Sequence, residues 1–215
     1  MQHAVSPPTV PVVPRDWARI GLCLVAATMA YNVIEAAVGI LAGVAAESIA
    51  LLGFGFDSLI ETAAAGLLLF RLSVETRGGD RETVERIEHR VRQFVGVTLL
   101  LLAAYVVAQS ILTVLGSDRP AESLVGIVLA TVSLVVMPVV AWGKLRAARE
   151  IDSDALRAEA KETLACAYLS FTLLLGLLAN ATFGWWWADP VAALLMVPWL
   201  TREGLEALRD EPCAC

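Results

Sequence analysis

Residues 47–61 read ESIALLGFGFDSLIE and run without a break into TAAAGLLLF at residues 62–70. An apolar stretch of this length belongs inside a membrane, where the backbone satisfies its own polar groups by forming a helix. Asp57 and Glu61 stand four residues apart, so on that helix both carboxylates project from one face. An ionised side chain at the centre of a membrane helix costs roughly 2.5–3.5 kcal/mol on insertion scales. Two on one face require a partner, and a divalent cation supplies one. The ordinary alternative is a pair of acids satisfied by water near the helix end.

A second copy of the pattern weighs against that alternative. Displacing the sequence from Ser48 onto Ser153 pairs Ala50 with Ala155, Leu51 with Leu156 and Leu59 with Leu164, without a gap. In the same register Asp57 falls on Glu162 and Glu61 on Cys166. Weak internal symmetry of this kind is a mark of secondary transporters. Both copies carry two metal-competent side chains at i and i+4. Asp57, Glu61, Glu162 and Cys166 then make a tetrad of oxygen and sulfur donors suited to a tetrahedral divalent ion such as zinc.

The rest of the chain supports a membrane setting. Of its 215 residues 58% are hydrophobic and 18% charged, with a mean hydropathy of +0.69, whereas soluble domains carry about 45–50% apolar and 25% charged residues. The net charge of −6 is confined to loops and tails, and no basic stripe interleaved with aromatics invites nucleic acid. Four cysteines form no disulfide framework, since Cys23 and Cys166 lie in apolar segments and Cys213 and Cys215 are two residues apart. The first apolar run is too long for a signal peptide and contains Asn32 and Glu35.

Read in order, the expected organisation is an all-α polytopic membrane protein with six transmembrane helices. Residues 1–18 form a Pro-rich disordered tail, and residues 19–209 the membrane domain, with spans at 19–41, 49–71, 94–115, 123–142, 153–179 and 190–209. Residues 210–215 are a short tail in which Cys213 and Cys215 are candidates for capturing metal. In the first span Thr28, Asn32, Glu35 and Gly39 form a stripe that must face the bundle interior. The plainer reading of that stripe is helix packing around one hydrogen-bonded carboxyl; the functional one makes Asn32 and Glu35 auxiliary or proton-linked groups. The charged segment at 82–92 reads as a solvated helix running into the third span, with His89 on a solvated face. Ser133 and Pro138 are packing and kink positions in the fourth span. The fifth span reaches full length only if it begins near Ser153 and carries Glu159 and Glu162 inward, with Lys161 pointing elsewhere. Asp189-Pro190 reads as an N-cap followed by proline at the first helical position, and Trp185, Trp186 and Trp187 as an interfacial anchor.

Arg15, Arg19, the arginines at 77–92, the basic residues at 144–157, Arg202 and Arg209 all fall on one side of six spans, with Arg119 opposite. The positive-inside rule then places both termini in the cytosol. Spans two and five cross in opposite directions, which brings Asp57 level with Cys166 and Glu61 level with Glu162. Protons and metal compete for the same oxygens, so alternating exposure of such a site couples a proton gradient to metal movement.

The run SIALLGFGFDSLIE resembles the second transmembrane helix of the cation diffusion facilitator family. AEAKETLACAYLS at 158–170 resembles its fifth helix, and GWWWADPVAALLM at 184–196 the start of its sixth. Asp57 and Glu61 fall on that family's second-helix acids, Glu162 where histidine or aspartate is usual, and Cys166 where aspartate is usual. The resemblance implies a proton-coupled antiporter, generally dimeric, that exports zinc or a related ion (Cd2+, Co2+, Fe2+ or Mn2+) and carries no prosthetic group. The expected location is a bacterial inner membrane, and the chain departs from the family in reading as a short form without the C-terminal cytosolic domain that commonly follows helix six. Three rival readings fit less well. No Gly-x-x-x-x-Gly-Lys-Ser/Thr loop supports an ATP-driven pump. An intramembrane hydrolase lacks a base, because neither His3 nor His89 lies within a span, so no enzyme is expected. A non-transporting metal sensor or accessory subunit is the stronger rival.

Overall fold

Helix follows from composition here: in hydrocarbon a backbone must satisfy itself, and only helices do so within a single segment. The computed structural model describes residues 15–76, 81–116, 120–151 and 153–209. They form six helices in chain order, α1 (Arg15–Ala46), α2 (Ile49–Thr76), α3 (Arg81–Leu115), α4 (Leu124–Glu150), α5 (Asp154–Phe183) and α6 (Ala188–Arg209). Five contain a stretch long and apolar enough to cross a membrane. α6 is not among them, because its second half carries Arg202, Glu203, Glu206 and Arg209.

The helices outrun the expected spans. α1 starts at Arg15, inside the segment expected to be a tail, and α4 continues through the basic residues to Glu150. The charged segment before the third span is continuous with it in α3, as expected. α5 begins where its length required. Ser153 caps it by accepting from the Leu156 amide at 3.3 Å, and its membrane-competent stretch runs Glu159–Phe183. Lys161 is exposed while Glu159 and Thr163, on the other face, are buried.

α1 packs on α2, α3 on α6 and α4 on α5. The α1–α2 crossing depends on glycine, since a Cβ at Gly39 would stand 3.1 Å from Gly55 Cα and one at Gly55 only 2.8 Å from the Ile40 nitrogen. Backbones that approach this closely bring the Thr28–Asn32–Glu35 stripe of α1 against the acid-bearing face of α2. The α3–α6 crossing is equally tight, with a Cβ at Gly96 falling 2.8 Å from the Gly204 carbonyl. Phe54, Leu51, Leu169, Leu173 and Met196 fill the common core.

Asp189 caps a helix, but not its own. It lies inside the first turn of α6, and its carboxylate accepts from the amides of Ile49 (2.8 Å) and Ala50 (3.4 Å) and from the Ser48 hydroxyl. The first turn of α2 has unsatisfied N–H groups and a positive dipole end, which is where an anion is favoured. Pro190 therefore follows an acid that caps its neighbour. Trp185 and Trp187 are stacked 5.2 Å apart and half exposed before α6, where an interfacial anchor was expected.

Candidate metal centre

Asp57 and Glu61 lie on the inward face of α2, Asp57 buried at 6% exposure and Glu61 half-buried. Glu162 projects from α5 toward them. The three carboxylates line one cavity of about 30 Å³, together with Ala165, Trp199 and Glu203. That volume is enough for a water or a bare ion, since one water needs about 10–15 Å³ measured in this way. The register derived from the two Ser-x-x-Leu copies thus brings three of its four members to one space. Among the described residues, no three His, Cys, Asp or Glu side chains already converge on a point that would hold an ion.

Cys166, the fourth member of the register, is not part of that lining. Its side chain is fully buried, and its thiol donates to Glu35 Oε2 at 3.6 Å. Glu35 is the centre of a hydrogen-bonded knot. It also accepts from Ser58 at 2.8 Å and from Ser133, whose oxygen lies 2.7 Å from the Tyr31 hydroxyl. Four helices meet on this one carboxylate, which agrees with the packing reading of Glu35. Ser133 is thus more than a packing position, since it ties α4 to α1.

Asn32 belongs to the acids instead. Its Nδ2 donates to Glu61 Oε2 at 2.9 Å, and it lines a second cavity of about 10 Å³ with Thr28, Glu61, Glu159, Glu162 and Thr163. Glu61 and Glu162 are common to both cavities.

Two residues escaped the sequence reading. Glu203 joins the main cavity from α6, although Arg202 and Glu206 beside it make it look like part of a solvated helix end. Lys144, counted with the basic loop, is fully buried in α4. Its Nζ lies 3.2 Å from Glu159 Oε1 and donates to Thr163 Oγ1 at 2.9 Å. A signal was available: Ala141, Ala147 and Ala148 flank Lys144 at helical spacing and leave room for a buried amine. His89 is exposed, as a solvated face requires. The tail candidates Cys213 and Cys215 lie outside the described residues.

Residues 25–211 match the family model described as the cation efflux transmembrane domain. An uncharacterized transporter of Synechocystis sp. is 27% identical over 176 residues, which cover 76% of this chain and 56% of the relative. The chain thus spans about half the length of that curated relative.

Proposed function

This chain belongs to the cation efflux family, and from that premise we propose that it is a secondary transporter exporting a divalent transition-metal cation from the cytosol in exchange for protons. One observation carries the reading: Asp57 and Glu61 of α2 and Glu162 of α5 face a single small cavity inside a helical membrane bundle. Clustered carboxylates in such surroundings need a cation or protons to neutralise them. Asp57, Glu61 and Glu162 bind the ion. Zinc is the first cargo to test, since carboxylates are among its ordinary ligands; Cd2+, Co2+, Fe2+ and Mn2+ are its competitors.

Exchange follows from competition. Metal entering from the cytosolic side displaces protons from the carboxylates. Re-exposure to the far side lets protons return and release the metal. The membrane is a bacterial inner membrane with both termini cytosolic, and two copies associate through their membrane helices.

Reconstituted liposomes test the proposal. An imposed pH gradient drives Zn2+ uptake by the wild type, and Asp57→Ala abolishes it. Metal affinity weakens as pH falls, because a protonated carboxyl oxygen no longer ligates. Zn2+ binding without flux at any gradient would make the protein a sensor or accessory subunit and overturn the transporter.

A further inference from the structure

This inference rests on the cation reading above and concerns which atoms hold the ion. Acids facing one space do not by themselves make a site; the observation that points to a ligand is on α1. The Asn32 side chain is 4% exposed, its Nδ2 is committed to Glu61, and its Oδ1 is buried with no hydrogen-bond partner. With Glu61 ionised, as a bound cation requires, flipping the amide would set its oxygen against the carboxylate, acceptor against acceptor, so Glu61 holds Nδ2 and leaves Oδ1 as the unpaired atom. A buried carbonyl oxygen without a donor is uncommon, and a bound cation would supply what it lacks. The neighbouring hydroxyls are already engaged, Thr28 with the Leu24 carbonyl and Thr163 with Lys144 and the Glu159 carbonyl.

Two further observations bear on the rest of the shell. Glu203 faces the main cavity opposite α2, placed there by the close α3–α6 crossing at Gly96 and Gly204, while Arg202 beside it is hydrogen bonded to Glu206 at 2.7 Å. Cys166 lines neither cavity and its thiol is turned to Glu35, a carboxylate already held by Ser58 and Ser133.

We propose that the cation is held by oxygen alone, by Asp57, Glu61, Glu162 and Glu203 with the Asn32 carbonyl as a fifth donor, and that Cys166 stays outside the shell as part of the Glu35 knot. Helices α1, α2, α5 and α6 then all contribute. An oxygen-only shell accepts harder ions such as Mn2+ beside zinc and has no sulfur with which to favour Cd2+.

Cobalt(II) titrated into the purified full-length protein, followed by absorption and by calorimetry, tests this. The wild type binds Co2+ without the intense sulfur-to-cobalt charge-transfer band, and Cys166→Ser leaves the affinity unchanged. Asn32→Leu and Glu203→Gln each weaken binding by roughly 10-fold or more, with the helical circular dichroism retained, while Asn32→Asp keeps an oxygen donor and keeps binding. A charge-transfer band in the wild type that vanishes in Cys166→Ser would overturn the oxygen-only shell and leave the transporter reading intact. Unchanged affinity in folded Asn32→Leu or Glu203→Gln would remove that residue from the shell and overturn the proposal as stated. A wild type that binds neither Co2+, Zn2+ nor Mn2+ would sink the transporter reading, and this inference with it.

Discussion

Lys144 shows what one side chain can conceal. Read along the chain it is one more basic residue near a helix end, and it counts toward the positive side of the membrane. In the fold it is fully buried, with its charge facing Glu159 at 3.2 Å. A buried pair adds little net stability over an apolar pair of the same shape, but removing one member leaves the other uncompensated, at about 3–5 kcal/mol. Lys144→Met should therefore lower the melting temperature of the detergent-solubilised protein sharply, and the double variant Lys144→Met/Glu159→Met should recover most of the loss. Equal destabilisation by the single and double variants would show that the two charges are not coupled. The pair also occupies Glu159, one turn before Glu162, leaving Glu162 as the α5 acid of the main cavity. Asp57, Glu61 and Glu162 were legible because i,i+4 spacing and the second Ser-x-x-Leu register are local signals. Glu203 and Lys144 were hidden because charge near a helix end reads as solvated until the packing is known.

At the level of whole helices, periodicity and length carried most of the information. The stripe Thr28–Asn32–Glu35–Gly39 is buried along α1, and α5 takes up its acids as its length demanded. What a helix caps could not be read in the same way, because a capping carboxylate and the amides it serves need not be close in sequence. Asp189 and Ile49 are 140 residues apart. This contact holds the start of α6 to the start of α2, the two helices that supply Glu203 and Asp57. Asp189→Ala leaves two α2 amides and the Ser48 hydroxyl without their acceptor, at about 1–3 kcal/mol. It should lower the unfolding midpoint and loosen α2, speeding hydrogen exchange at the amides of Ile49 and Ala50. Asp189→Asn keeps an acceptor and should recover part of both. An exchange rate at those amides identical to wild type would mean that the cap contributes nothing to holding α2.

For the molecule as a whole, the open matter is parity. The positive-inside count requires six crossings, yet among the described residues five helices are apolar enough to cross on composition. The contacts between helix ends favour six. Arg146, late in α4, sits over Trp17 at the start of α1, 5.5 Å from the ring centroid, and Lys144 of α4 meets Glu159 at the start of α5. Gly204, late in α6, lies against Gly96, near the start of the apolar stretch of α3 that begins at Gln93. At the other end Asp189 at the start of α6 meets the start of α2, the Ala121 amide donates to the Ala46 carbonyl at 2.8 Å, and Asn180 near the end of α5 donates to Pro120. α6 therefore runs from one end of the bundle to the other. Its charged second half lies at the end that carries Arg146, with Glu203 turned toward the cavity rather than toward lipid. Composition fails for α6 because part of its polarity faces inward, a distinction hydropathy cannot make. Both termini are then expected in the cytosol: green fluorescent protein fused to either end of the full chain should fluoresce, and alkaline phosphatase fused to either should stay inactive. Active phosphatase at the C-terminal end alone would mean an odd number of crossings. It would also take α6, and Glu203 with it, out of the bundle.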